Sequence, residues 1–171
     1  MAAAIAVVRA SKASDAQEIA VIYGHYVRTT RATFETDIPD AEEIARRREE
    51  IVDRGLPHLV AAYDERVVGF AYASPWRARP AYRFTVEDSV YVHPDYSGKG
   101  LGRLLLTELI AACKRAGKRQ MIAVIGGSDN AASIRLHESL GFRQVGVLRG
   151  VGHKFGFWVD TVLMQRAIEH L

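Results

Sequence analysis

Three glycines at two-residue spacing form the part of this sequence that points most directly to chemistry. Gly98, Gly100 and Gly102 follow the alternating apolar run that ends at Val92 and precede the apolar run that starts at Leu104. Because glycine lacks a side chain, backbone N–H groups in such a loop can turn toward one anion, and the dipole of the following helix adds to the attraction. The spacing predicts a cradle for a diphosphate group. Its residues are Gly98, Lys99, Gly100, Leu101, Gly102 and Arg103.

Two common nucleotide-binding loops do not fit this spacing. The Rossmann fingerprint needs a third glycine three residues after the second, where this chain has Arg103 or Leu105. The P-loop needs Gly-Lys followed by Ser or Thr, whereas Gly98-Lys99 is followed by Gly100. The loop is therefore of another kind, or it is a turn that only links a strand to a helix.

A second segment carries the start and stop signals of a helix. It follows the apolar run 121–125, begins at Asn130 and ends at Gly141-Phe142. Asn is a favoured N-cap, Leu136 and Leu140 lie four residues apart on one face, and glycine is typical just past a helix end. The pattern predicts a helix with Asn130 as its N-cap.

Both segments resemble motifs of the GCN5-related N-acetyltransferases, abbreviated GNAT. The loop matches the pattern Gln/Arg-x-x-Gly-x-Gly/Ala with Ser97 at its first position, and the helix matches Asn-x-x-Ala/Ser-x-x-Leu-Tyr-x-x-x-Gly-Phe with His137 at the tyrosine. The resemblance implies acetyl-CoA as co-substrate, with its diphosphate in the glycine loop and its pantetheine arm along the preceding strand. The further cofactor-binding residues that it implies are Val90, Tyr91, Val92, Asn130 and Ser133.

The elements that must position these residues alternate along the chain. Periodicity and turn residues predict strands at 5–9, 59–63, 67–73, 85–92 and 121–125, with two closing strands after Gly141. Helices are predicted after a Ser14 or Asp15 cap, at 40–53, after the glycine loop and after Asn130. The order resembles the GNAT fold, an α/β fold whose central twisted sheet is mostly antiparallel, splayed at the acetyl-CoA site and flanked by about four helices. We expect residues 1–171 to form a single domain of this kind.

A narrower resemblance concerns the substrate. Residues 74–92, residues 152–160 and Thr33-Phe34-Glu35 look like the phosphinothricin and methionine sulfone/sulfoximine acetyltransferases. These enzymes act on amino acids with an oxidised sulfur or phosphorus side chain, whose oxyanions suit guanidinium forks and whose methylene carbons suit aromatic walls. The substrate-binding residues that the resemblance implies are Phe34, Trp76, Arg77, Arg79, Arg83, Ser89 and Tyr91.

Glu87 and His137 are the candidate catalytic residues. An α-amine has a pKa of about 8 and is mostly protonated at pH 7, so a carboxylate near it must take up a proton, directly or through water. The resemblance gives this role to Glu87, for which the other interpretation is a structural pair with a neighbouring arginine. His137 could protonate the departing thiolate, since imidazole titrates near neutrality. Its other interpretation is a histidine bonded to a carbonyl that only packs the cofactor.

Composition limits the remaining classes of function. The 171 residues are 49% hydrophobic and 25% charged, which is typical of a globular protein, and their formal charge of +3 suits an anionic ligand. Arg46-Arg47-Arg48 is followed at once by Glu49-Glu50, so a nucleic-acid surface is not expected. Neither a membrane span nor a signal peptide is expected, because no apolar run approaches 18 residues and residues 1–8 contain no basic start. The single cysteine favours a cytoplasmic location, and the scattered histidines predict no metal site.

Two other functions stay open at this point. The acetyl-CoA site could serve protein N-termini or another amine in place of a small amino acid. It could also belong to a CoA-binding sensor module without turnover. The family resemblance and the apolar, aromatic terminal strands favour a homodimer.

Overall fold

The computed structural model describes residues 6–168, which form one seven-stranded sheet with α-helices on both faces. The strands are β1 Val7–Ala10, β2 His58–Tyr63, β3 Arg66–Pro75, β4 Thr85–Val92, β5 Gln120–Gly126, β6 Arg143–Lys154 and β7 Phe157–Ala167. The helices are α1 Ala16–Thr29, α2 Ala41–Asp53, α3 Leu101–Arg115 and α4 Ala131–Ser139. The predicted order of strands and helices is confirmed.

The sheet has the strand order β1-β2-β3-β4-β5-β7-β6, and its neighbours are antiparallel except for β4 and β5. The parallel pair is short, because it begins at Thr85–Gln120 and ends at Asp88–Ala123. Beyond that pair both strands continue but no longer pair with each other. This opening, called the fork below, confirms the predicted splay of the sheet, and the Asp88–Ala123 pair is its apex.

Two apolar cores lie on opposite faces of the sheet. One core packs α3 against the sheet, with the fully buried Leu105, Leu106, Leu109, Met121 and Met164. The other packs α1 and α2, with Ile19, Ile22, Val27, Ile44 and Phe70. Side chains of β4 alternate between the cores, so Val86, Val90 and Val92 contact the first and Tyr91 the second. Successive residues of β4 therefore serve different faces.

Two predictions at the N-terminus were wrong in detail. The first strand is Val7–Ala10 rather than 5–9, and Ile5 lies outside the described residues. Asp15 stands at the N-cap position of α1, but its side chain does not cap that helix. Instead its carboxylate accepts hydrogen bonds from Arg9 and from the Lys12 amide, at 2.8 and 2.7 Å. The arginine in β1 offers the carboxylate a charged donor that outcompetes the helix amides.

Cys113 of α3 is fully buried in the first core, and burial raises the pKa of its thiol to about 12. Its packing agrees with a structural rather than a nucleophilic role. Within residues 6–168, no helix is both long enough and apolar enough to span a bilayer. The same part of the chain holds no group of three His, Cys, Asp or Glu side chains placed to bind a metal ion.

Candidate active site

The fork opens into a cleft of about 790 Å³. Strand β4 forms one wall beyond the apex, β5 and α4 form another, and the glycine loop with the start of α3 closes one end. Most of the predicted cofactor residues line this cleft together. They are Val90, Tyr91, Val92, Gly98, Gly100, Leu101, Gly102, Arg103, Asn130 and Ser133. Lys99 does not line it, and its ammonium lies 4.5 Å from the centre of the Tyr96 ring.

The free edge of β4 presents the backbone of Val90 and Val92 to the fork. The His93 amide donates to Val68 of β3, and the alternation of an antiparallel ladder then directs the backbone of odd-numbered residues toward β3. Tyr91 lies between Val90 and Val92 and is also among the predicted cofactor-binding residues. In this register the hydrogen-bonding groups of its backbone face β3, although the residue lines the cleft. The Val92 carbonyl accepts a hydrogen bond from the Tyr26 hydroxyl at 2.6 Å.

The glycine loop has the backbone conformation that an anion cradle requires. Gly98 and Gly100 have φ of +75° and +79°, values that residues with a side chain rarely adopt. Gly100 is also the N-cap of α3, and no side chain caps that helix end. The first amides of α3 therefore stay available to an anion, and the helix dipole favours negative charge there. Gly102 has another role, since a Cβ at this residue would lie 3.3 Å from Leu136 of α4.

Asn130 joins β5 to α4 on the other side of the cleft. Its Oδ1 accepts the Ser133 amide at 3.3 Å, which confirms the predicted N-cap. Its Nδ2 donates to the carbonyl of Gly126 at 3.4 Å, at the end of β5. One side chain thus sets the start of α4 relative to the strand that forms the fork.

His137 is buried at the base of α4, with both ring nitrogens bonded inside the protein. Its Nδ1 lies 2.7 Å from the Ser133 carbonyl, and its Nε2 lies 2.9 Å from Oδ2 of Asp88. The ring packs edge-on against Phe142. A free N–H is therefore not directed into the cleft, and the general-acid role predicted for His137 requires one of these contacts to open.

Asp88 is a site residue that the sequence reasoning missed. It lies next to Glu87 but on the other face of β4, where its neighbours Val86 and Val90 belong to the apolar core. One signal in the sequence could have identified Asp88. It places a carboxylate at a position of β4 where strand alternation predicts an apolar side chain.

Glu87 is half-buried on the α1 and α2 side of β4, the same side as Ser89 and Tyr91. Burial raises the pKa of its carboxyl above the ordinary value of 4.5, the charge of Asp88 raises it further, and Arg77 partly opposes the shift. A carboxylate with a raised pKa is a better proton acceptor for an amine at neutral pH. Glu87 does not line the cleft, whereas Ser89 and Tyr91 do.

A polar network on the Tyr91 side was also missed by the sequence reasoning. The network holds residues 30–35 in place. This segment, here called the strap, follows α1 in the connection to α2. Lys154 is buried and donates to the Thr33 carbonyl at 2.8 Å, and the Tyr23 hydroxyl contacts Oγ1 of Thr33 and Oε1 of Glu35, both at 2.8 Å. Arg47 donates to the same Glu35 carboxylate at 2.7 Å. These contacts tie the strap to α1, α2 and β6.

Phe34, the substrate-binding residue predicted in the strap, lies across two strand glycines. A Cβ at Gly152 would overlap its ring and lie 2.6 Å from Cζ, and a Cβ at Gly126 would lie 3.1 Å from Cε1. Gly126 also lines the cleft, so the ring stands beside the cleft wall. Phe34 keeps 40% of its surface exposed. The position of the ring depends on two residues that have no side chain.

We expect Gly152→Ala to destabilise the fold, because the added methyl must displace the Phe34 ring. Overpacking of this kind costs about 1–3 kcal/mol in the free energy of unfolding. Gly146→Ala in the same strand is the matched control, since nothing lies within 4 Å of a Cβ there. Chemical denaturation of both variants measures the difference. Equal stability of the two variants would contradict the inference that the Phe34 ring needs a glycine at residue 152.

The arginine-rich segment lies outside the cleft. Arg77, Arg79 and Arg83 are exposed, and neither they nor Trp76 line it. The Arg77 guanidinium lies 4.5 Å from the Trp76 ring centre, and that of Arg83 lies 4.4 Å from the ring centre of Phe84. Among these four residues, only Arg77 influences the pKa of Glu87.

Comparison with known proteins agrees with this geometry. The profile of the Acetyltransferase (GNAT) family matches residues 8–142. A phosphinothricin N-acetyltransferase from Alcaligenes faecalis is 52% identical to this chain, and the match covers 94% of this chain and 82% of the relative's length. An L-methionine sulfoximine/L-methionine sulfone acetyltransferase from Salmonella typhimurium is 42% identical over 95% of this chain and 94% of its own. A GNAT superfamily phosphinothricin acetyltransferase from Sinorhizobium meliloti, solved in complex with AcCoA, superposes with a TM-score of 0.91 at 45% identity, covering 95% of this chain and 88% of its own. The chain therefore belongs to the GNAT family of acetyltransferases.

Proposed function

We propose that this N-acetyltransferase moves the acetyl group of acetyl-CoA to the α-amine of a small amino acid such as phosphinothricin, methionine sulfone or methionine sulfoximine. The observation that carries the proposal is the fork, whose cleft joins the anion cradle to a free strand edge beside Glu87. The Alcaligenes and Salmonella relatives support the substrate class, because each covers more than nine-tenths of this chain.

The residues of the cleft suit an acyl-CoA molecule. Its volume of about 790 Å³ falls within the range of roughly 300–1,000 Å³ usual for small-molecule sites. The glycine loop would hold the diphosphate, the edges of Val90 and Val92 the pantetheine arm, and Asn130 and Ser133 the opposite side. Acetyl-CoA supplies an activated thioester when bound.

Glu87 is the proposed general base. Its side chain lies on the face of β4 that also carries Ser89 and Tyr91, two of the predicted substrate-binding residues. Because its pKa is raised by burial, the carboxylate can accept a proton from an ammonium group more readily than an exposed glutamate can. Only a neutral amine has the lone pair that attacks the thioester, so this proton transfer precedes the attack.

The substrate would lie on the Tyr91 side of β4. Phe34 and Tyr91 would contact its methylene carbons, and Arg77, whose charge acts on Glu87, is the proposed partner for the oxyanion of a substrate bound there. Trp76, Arg79 and Arg83 belong to the same segment and are the other proposed substrate contacts. His137 keeps its predicted general-acid role only if its contact with Asp88 or with the Ser133 carbonyl opens during turnover.

An amine panel tests the proposal. With acetyl-CoA present, we expect thiol release with free methionine sulfone, methionine sulfoximine and phosphinothricin, and little with an N-terminal peptide. A preference for the peptide would instead support a protein N-terminal acetyltransferase. Binding of acetyl-CoA in calorimetry without thiol release from any amine would support a CoA-binding sensor.

We also propose a homodimer formed through β6 and β7. Strand β6 is an edge of the sheet, and the two strands with the turn between them expose a group of large apolar side chains. These are Val145, Leu148, Val151, Phe155, Phe157 and Trp158. Contiguous apolar patches on a strand edge mark association surfaces, and a second copy would cover the same patch on both partners. Sedimentation equilibrium should then give twice the chain mass of 19.0 kDa.

The proposed location is the cytoplasm. A chain with one cysteine forms no internal disulfide, and Cys113 is buried in the core. Fractionation of cells that express the protein, followed by thiol-release assay of each fraction, tests this location.

A further inference from the structure

Asp88 and His137 form a buried ion pair at the apex of the fork. Both are nearly inaccessible, with 6% and 4% of their surface exposed, yet both line the cleft. Asp88 belongs to the last pair of residues that joins β4 to β5, and His137 belongs to α4, which carries the Asn130 side of the cleft. The pair thus connects the two walls at the point where they separate.

The hydrogen bonds define the protons on the ring. A carbonyl only accepts, so the 2.7 Å contact with Ser133 places a proton on Nδ1 of His137. Burial alone lowers the pKa of the imidazole, but the hydrogen bond and charge of Asp88, together with the Ser133 carbonyl, outweigh burial and raise it above 6.5. With Nδ1 already protonated, the 2.9 Å contact between Nε2 and Oδ2 of Asp88 needs a second proton between the two atoms, and the raised pKa of His137 favours its place on the ring.

One oxygen of Asp88 is not used by this pair. Oδ1 is buried and has no hydrogen-bond partner within residues 6–168. The other titratable groups that sense the Asp88 charge are Glu87 on its own strand and Cys113 on α3. Arg77, from the segment after β3, acts on Glu87 in the opposite direction. A buried carboxylate with an unsatisfied oxygen is costly to the fold, so a role in the reaction would explain its presence.

We propose that Asp88 is a positioning residue for acetyl transfer, which through its ion pair fixes β4 to α4 and keeps His137 charged in the cleft wall. The inference rests on the proposed function of the cleft. A positive imidazolium in a water-poor wall stabilises the negative charge that develops on a departing thiolate, without any proton leaving the ring. The charge of Asp88 also acts on the carboxylate of Glu87, so one residue influences both candidate catalytic groups.

Asp88→Asn in the full chain tests the inference, because the change keeps the shape and removes the charge. We expect kcat to fall about tenfold or more, while KM for the amine changes less than about threefold. The acid limb of the pH profile of kcat/KM should move to lower pH, since Glu87 loses a neighbouring negative charge. Asp64→Asn, at the exposed β2–β3 turn, is the matched control and should leave all three quantities unchanged.

A second readout does not depend on the amine. NMR titration of the His137 ring, assigned with His137→Gln, should show an imidazolium that persists above pH 6.5 in the wild type and is lost at lower pH in Asp88→Asn. The kcat losses of Asp88→Asn and His137→Gln should be less than additive in the double variant, because part of the effect of Asp88 passes through that ring. If no amine in the panel is acetylated, the proposed function fails while the NMR result still stands or falls by itself.

Three outcomes would overturn the inference. They are an unchanged His137 titration in Asp88→Asn, a wild-type kcat and pH profile in that variant, and additive losses of kcat in the double variant. Thermal melts and acetyl-CoA calorimetry of each variant identify a general loss of structure. If Asp88→Asn does not fold, the titration and kcat of Asp88→Ser, which also removes the charge, decide between the same outcomes.

Discussion

Glu87→Gln is expected to lower kcat by about 10²–10⁴-fold, the contribution typical of a positioned general base. Glutamine retains the size of the side chain but cannot take a proton from the substrate ammonium. The affinity for acetyl-CoA should change little, because Glu87 does not line the cleft. Steady-state kinetics with methionine sulfone and calorimetry with acetyl-CoA measure the two quantities.

The pH profile gives an independent signature of the same residue. Burial raises the pKa of Glu87, so the acid limb of kcat/KM in the wild type should lie above pH 4.5. Below that limb the carboxyl is protonated and cannot accept another proton. The limb should vanish in Glu87→Gln and persist in Glu49→Gln, a control on the exposed part of α2. A Glu87→Gln variant with the kcat of the wild type would show that Glu87 is not the general base.

Gly100→Ala should weaken acetyl-CoA binding about tenfold or more, which corresponds to about 1.4 kcal/mol of binding free energy. Gly100 lines the cleft and has φ of +79°, and no other atom lies within 4 Å of a Cβ built there, so an added methyl group would occupy open space at this part of the cleft. The backbone would also resist this φ, because alanine avoids the left-handed region. Calorimetric titration with acetyl-CoA measures the loss.

Gly117→Ala separates the two causes. Gly117 follows α3, has φ of +72°, and likewise has no atom within 4 Å of a Cβ, but it does not line the cleft. Both variants should therefore lose a similar free energy of unfolding, whereas only Gly100→Ala should lose affinity. Equal acetyl-CoA affinity in the two variants would mean that the loop does not bind the diphosphate.

Local sequence predicted the parts of the site that local interactions build. The glycine spacing predicted the cradle because positive φ and a free helix N-terminus depend on a few consecutive residues. The N-cap of α4 was predictable for the same reason, since Asn130 bonds a residue three positions away. Alternation along residues 85–92 predicted β4 with its observed bounds.

Side chains in long-range contacts were harder to assign. His137 had two interpretations, and its contact with the Ser133 carbonyl agrees with the second of them. The charged partner of the ring is Asp88, 49 positions earlier in the chain. Lys154 and Thr33 are 121 positions apart, and nothing in either local sequence indicates that they meet.

The sequence by itself determined the order of the elements, the positive-φ glycine loop before α3, the family resemblance and the bounds of β4. Only the tertiary structure decided where β4 leaves β5, which edge of β4 stays free, and which charges face each other across the fork. The physical reason is that a strand's faces follow from its own alternation, whereas its neighbours are chosen by packing across the whole sheet. Asp88 illustrates both, since alternation made it an unusual core residue and packing gave it His137 as a partner.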